Sequence, residues 1–87
     1  MNAMTMPMQL RLYGREYCSL CLNMREQLDA LSRQRGFHVT WIDIDDNDDL
    51  EDRYGELVPV LADSLDAEIC HYHLDLEALD AWLVKAH

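Results

Sequence analysis

Cys18-Ser19-Leu20-Cys21 is the stretch on which the reading of the fold turns, because it stands between a short apolar run, residues 8–13, and a helical repeat that begins at Ser19. Two thiols at this spacing can close a small disulfide ring, and a helix N-terminus beside them stabilises a thiolate, so two-electron redox chemistry fits here. The pair points to thiol–disulfide exchange and names no substrate.

Upstream, Met-Gln-Leu-Arg-Leu-Tyr (8–13) sets Met8, Leu10 and Leu12 on one face at period two, and Gly14 ends the run, which predicts a first strand. Downstream, Leu20, Met24, Leu28 and Leu31 recur at helical spacing, with Arg33 and Arg35 in the last turns and Gly36 as a left-handed cap. Residues 37–44 are rich in β-branched and aromatic side chains and predict a second strand, which a helical crossover sets parallel to the first.

Residues 43–49 open like a calcium loop, with acids at positions one and three and an amide at five. The sixth position, which needs Gly, is Asp48, and the twelfth, which needs Glu, is Tyr54. The better reading is a short second helix capped by Asn47 or Asp46, with Asp48, Asp49 and Glu51 at the positive end of its dipole and Gly55 as its end. Residues 57–62 predict a third strand, although Pro59 cannot donate to a ladder and belongs at a strand start, an edge or a bulge. A turn over 63–66, a fourth strand over 67–72 antiparallel to the third, and a closing helix from Asp75 with Leu76, Leu79, Trp82, Leu83 and Ala86 on its apolar face complete the chain.

With 87 residues, 49% of them hydrophobic, the sequence predicts one domain over 1–87, with residues 1–7 as a flexible N-terminus and a monomeric state. Three cysteines do not form a multi-bridge framework, and residues 1–8 have neither a basic n-region nor an apolar h-region, so a cytoplasmic location is expected. No apolar run is long enough for a membrane span, and no membrane partner is expected. Residues 1–36 carry five arginines against three acids, whereas residues 37–87 carry two bases against fourteen acids, for a net charge of −10. Such a surface repels phosphates, which argues against nucleic acid as a partner.

A strand, Tyr17-Cys18-Ser19-Leu20-Cys21, a helix, a strand, and then Val58-Pro59 before a hairpin and helix resemble the glutaredoxin and thioredoxin pattern over nearly the whole chain. The likeness is to short bacterial glutaredoxin-like proteins, through residues 12–18, 43–45 and 53–61. It implies a thioredoxin-like, glutaredoxin-type three-layer α/β/α fold, with a four-stranded mixed sheet of order 2-1-3-4 and a cis peptide bond before Pro59. It further implies that the Val58 backbone, facing the dithiol, is free to pair with an extended peptide or glutathione. Substrate would lie between Cys18 and Val58, on a rim of Tyr17, Val58 and Pro59.

Cys18 is then the nucleophile, since unpaired N–H groups at the helix start lower its thiol pKa, and Cys21, one turn in, resolves the mixed disulfide. Arg15 either adds positive charge beside the thiolate, as a further substrate-binding residue, or is a solvated loop residue. The expected partners are protein or low-molecular-weight disulfides, with glutathione or a thioredoxin-reductase-type flavoenzyme as reductant. No tightly bound cofactor is expected, with glutathione as a co-substrate only. The alternatives are a non-enzymatic binding or redox-sensing module that uses the Val58 edge, and an iron–sulfur carrier of the kind some glutaredoxin relatives form.

No metal site is expected: Cys70, His71 and His73 lack the ligand order of a zinc site, and His71 and His73 read as surface residues at a strand end. Cys70 is either a third participant or, as most free cysteines are, a small buried apolar residue. The chain departs from glutaredoxins in having Ser19-Leu20 for Pro-Tyr, Cys70-His71-Tyr72-His73 where glutathione users carry Gly-Gly, and no lysine ahead of the dithiol unless Arg15 substitutes.

Overall fold

β1 (Met8–Gly14) is the strand around which the molecule is built. In the computed structural model, which describes residues 8–86, it pairs in parallel with β2 (Phe37–Asp43), from Met8 opposite Phe37 to Gly14 opposite Asp43. On its other side it pairs antiparallel with β3 (Val60–Asp63), which in turn pairs antiparallel with β4 (Glu68–His71). The sheet order is β2-β1-β3-β4, the mixed sheet expected. The expected flexible N-terminus, 1–7, lies outside the described residues.

Alternation along β1 divides its side chains between two cores. Leu10 and Leu12 face α1 (Ser19–Arg35) and α3 (Leu76–Ala86), where they meet Met24, Leu28, Leu61, Cys70, Leu79 and Leu83. Tyr13 faces the opposite way, toward α2 (Asp48–Tyr54), and packs with Ile44, Tyr54, Val60 and Ala62. Helices therefore cover both faces, and the fold is the three-layer α/β/α, thioredoxin-like one. Leu10, Leu12, Leu28, Leu61 and Leu79 are fully buried, and each such burial contributes about 1.5–3 kcal/mol.

The helix ends are those the sequence predicts. Gly36 takes the left-handed conformation (φ 76°) and its N–H donates to the Ser32 carbonyl at 3.0 Å. The Asn47 side chain accepts from the Leu50 N–H at 3.0 Å, and that of Asp75 accepts from the Ala78 N–H at 3.1 Å. Among the described residues no helix is long and apolar enough to cross a membrane.

Several boundaries shift. Gly14 belongs to β1 as its last paired residue, and β2 stops at Asp43, with Ile44 buried just beyond it. The third strand begins at Val60 rather than at 57, because the N–H groups of Leu57 and Val58 both donate to the Tyr54 carbonyl and continue the turn that ends α2. The fourth strand ends at His71, since Tyr72 adopts φ 64°, so His73 does not share a strand face with His71. In α1 it is Cys21, not Leu20, that joins Met24 and Leu28 in facing inward, while Leu20 is exposed. In α3 the buried residues are Leu79 and Leu83, whereas Leu76 is half exposed.

Candidate dithiol site

Cys18 is the N-cap of α1. Its backbone is extended (φ −102°, ψ 114°), its carbonyl accepts from the Leu22 N–H at 3.0 Å, and its Sγ accepts from the Cys21 N–H at 3.2 Å. The sulfur therefore does what a serine or aspartate oxygen does at other helix starts, and it faces the positive end of the helix dipole. Cys18 is half-buried, Cys21 is fully buried, and no disulfide joins them.

The two thiols differ in kind. Burial pushes the Cys21 thiol up, and its hydrogen bond to Cys18 adds to the shift, while the Arg15 backbone amide pulls the other way. A Cβ built on Gly14 would lie 3.1 Å from the Cys21 Cβ and 2.7 Å from the Trp41 ring. Only a glycine lets β1 run this close beneath the dithiol. On the far side, the Arg25 guanidinium sits 4.6 Å from the Trp41 ring centroid, a cation–π contact that backs this packing. The Trp41 indole N–H is buried with no acceptor among the described residues.

Arg15 is not the solvated loop residue of its second reading, and its positive charge acts on the dithiol, pulling the Cys21 thiol down against the effect of burial. It donates to Asp45 at 2.7 Å, to Glu51 at 3.0 Å and to the Tyr17 hydroxyl at 3.1 Å, with only 18% of its side chain exposed. Its hydrogen bond to Tyr17, then that to Glu51, raises the guanidinium pKa further, so the charge is permanent. Two carboxylates pair with its Nη1, and it ties the β1–α1 loop to α2. Gly55 belongs to the same arrangement, since a Cβ there would lie 2.5 Å from the Glu51 carbonyl oxygen and 3.3 Å from the Arg15 guanidinium. Tyr17 is 74% exposed beside Cys18, its hydroxyl also donating to Asp45 at 3.3 Å.

The peptide bond between Val58 and Pro59 is cis, as the resemblance implies. The Val58 backbone, however, is not wholly free. Its N–H donates to the Tyr54 carbonyl at 3.0 Å, which leaves only its carbonyl open to an incoming chain among the described residues. Cys70 takes the plainer of its two readings: it lies in the core with Leu61, and burial raises its thiol pKa. His71 pairs with Glu68 at 2.6 Å on the surface.

Tyr72 was not a candidate from sequence. Its N–H donates to the Pro59 carbonyl and its hydroxyl to the Glu56 carbonyl, both at 2.9 Å. The ring thus runs alongside the segment that contains Val58. Nothing in the sequence marks a tyrosine for a left-handed backbone; the one signal is that the chain has Cys70-His71-Tyr72-His73 where the resemblance to glutathione-using glutaredoxins leads one to expect Gly-Gly.

The family model of the glutaredoxin-like domain (DUF836) matches residues 9–84 of the chain. Among solved structures, the chain is 40% identical to protein Ne2328 from Nitrosomonas europaea, with a TM-score of 0.79 over 94% of this chain and 98% of that one. It is also 40% identical to protein XcR50 from X. campestris, with a TM-score of 0.68 over 90% of this chain and 99% of that one. Reduced Escherichia coli glutaredoxin is similar in fold, at 24% identity and a TM-score of 0.58 over 90% and 95% of the two chains. No curated protein matches.

Proposed function

The chain belongs to the glutaredoxin-like domain (DUF836) family, and on that footing we propose that it is a cytoplasmic thiol–disulfide oxidoreductase that reduces protein or low-molecular-weight disulfides through Cys18 and Cys21. The observation that carries this reading is the inequality of the pair: a half-buried Cys18 sulfur accepting the Cys21 N–H at 3.2 Å, with the Cys21 thiol buried behind it.

In the proposed cycle the Cys18 thiolate attacks one sulfur of a substrate disulfide. The substrate S–S bond breaks, a bond from Cys18 to the substrate forms, and one substrate thiolate leaves. Cys21 then gives up its proton to solvent and attacks the Cys18 sulfur, which closes the Cys18–Cys21 disulfide and releases the second thiolate. The protein loses two electrons and the substrate gains them; a cellular thiol or a flavoenzyme restores the dithiol. Tyr17 and Val58 form the proposed substrate rim, with Val58 offering its carbonyl, while the Pro59 side chain is fully buried. Arg15 flanks that rim, its Nη1 donating to Asp45, Glu51 and the Tyr17 hydroxyl.

Equilibration in redox buffers, from thioredoxin-like to oxidising potentials, tests the reading. Mass spectrometry is expected to find a Cys18–Cys21 disulfide that appears over a defined potential range, and Cys21→Ser is expected to trap substrates as mixed disulfides on Cys18. A pair that never oxidises anywhere in that range overturns the proposal.

A further inference from the structure

Beside the dithiol a groove of about 370 Å³ runs between Leu20 and Met24 of α1 and the Tyr72–Leu74 loop. Leu20 lies within the C-x-x-C, and the Tyr72 N–H is bonded to the Pro59 carbonyl, so the two walls of the groove are attached to the dithiol turn and to the proline segment. This volume is ample for a small ligand. Its charge is more selective: Glu26 is the one carboxylate lining it, and neither Arg nor Lys lines it.

We propose, building on the oxidoreductase reading, that this groove selects disulfides carried on cationic polypeptides and turns away glutathione, with Tyr72 as the specificity-determining residue. Oxidised glutathione carries more carboxylates than ammonium groups and needs cations to hold it. The groove provides neither Arg nor Lys, and nearby Arg15 is already paired with Asp45 and Glu51. Beyond the groove, residues 37–87 carry fourteen acids against two bases, a field that draws in basic chains and repels anions.

Tyr72 adds a steric and polar filter. Its hydrogen bonds end on Glu56 and Pro59, so its ring walls the Val58 segment on the groove side. A short ligand that must pair with both the N–H and the carbonyl of Val58 finds the N–H bonded to Tyr54 and the approach flanked by the ring. A polypeptide, with many other contacts to make along the exposed faces of Leu20 and Tyr72, needs only the carbonyl.

The test uses the reduced full-length protein and four disulfides: hydroxyethyl disulfide as a neutral probe, a disulfide-linked peptide bearing lysines, the same peptide bearing glutamates, and oxidised glutathione. The second-order rate of Cys18–Cys21 oxidation is read by acid quench and mass spectrometry. At low ionic strength the lysine peptide is expected to react at least about tenfold faster than the glutamate peptide or oxidised glutathione, a preference that shrinks with added salt. Glu26→Gln is expected to narrow it. Tyr72→Gly, which keeps the left-handed backbone without strain, is expected to raise the oxidised glutathione rate about tenfold. Equal rates for the two peptides overturn the inference, as does an unchanged glutathione rate in Tyr72→Gly. Failure to react with hydroxyethyl disulfide overturns the oxidoreductase reading, and this inference with it.

Discussion

The backbone N–H of Cys21 points at the Cys18 sulfur from 3.2 Å away, while the Cys21 side chain is fully buried beside Gly14. One amide thus serves the outer thiol, and the packing beneath it shuts in the inner one. A brief pulse of iodoacetamide on the reduced protein is expected to give a single adduct, on Cys18. Cys21 and Cys70, both buried and both with thiol pKa values pushed up by that burial, are expected to react only after denaturation. Peptide mapping that finds Cys21 alkylated as fast as Cys18 would contradict the arrangement.

Gly14 makes that arrangement possible, so Gly14→Ala is expected to destabilise the fold by about 1–3 kcal/mol, the usual cost of forcing a methyl group into a packed site. The new Cβ would meet the Trp41 ring at 2.7 Å and the Cys21 Cβ at 3.1 Å, and neither neighbour is the free end of a flexible chain. A lower urea midpoint with an unchanged m-value is the expected result. An unchanged midpoint would mean that β1 and Trp41 can move apart.

The sequence carried the layers and the dithiol because both are local patterns. Period two at Leu10 and Leu12, helical spacing at Met24 and Leu28, Gly36 as a cap and the C-x-x-C are each read within a few residues, and the family likeness supplied the strand order. What it did not carry depends on partners distant in the chain. Arg15 meets Asp45 and Glu51, which lie 30 and 36 positions away. Residues 57 and 58 look like strand by composition, yet their N–H groups close the end of α2 on Tyr54. Leu20 fits the helical period but faces outward, because the inward position at that turn is taken by Cys21. Tyr72 bonds to Glu56 and Pro59, a contact no periodicity announces.

On the α2 face, Tyr13 stacks on Tyr54 with ring centroids 4.3 Å apart, and its hydroxyl donates to Asp66, which Arg11 also binds at 2.9 Å. Burial, and then the bond to Asp66, pushes the Tyr13 phenol up to about 12 from 10.0. The folded state therefore keeps a proton that the unfolded chain releases first, so this stability is complete below about 10 and is lost as pH rises toward about 12. Asp66 has the opposite sign: the Tyr13 hydrogen bond lowers its pKa below 3.8, giving stability present above that value and lost as pH falls through the lowered one. An absorbance titration should contain a late step from Tyr13, absent in Tyr13→Phe. If the variant keeps that step, it belongs to another ring.

The resolving step should carry its own pH signature. The Cys21 thiol is raised above 9.0 chiefly by burial, with a second contribution from its hydrogen bond to Cys18. Once Cys18 is held in a mixed disulfide that second contribution is gone, and burial alone still keeps the proton on Cys21. Because only the thiolate attacks, release of the second substrate thiol should accelerate by about tenfold per pH unit through the neutral range, without a plateau before the ordinary thiol pKa. Stopped-flow release from a preformed Cys18 adduct of a chromogenic thiol measures this directly. A rate already flat at neutral pH would mean that Cys21 is ionised in the adduct, and that the burial seen in the reduced protein is relieved when substrate is bound.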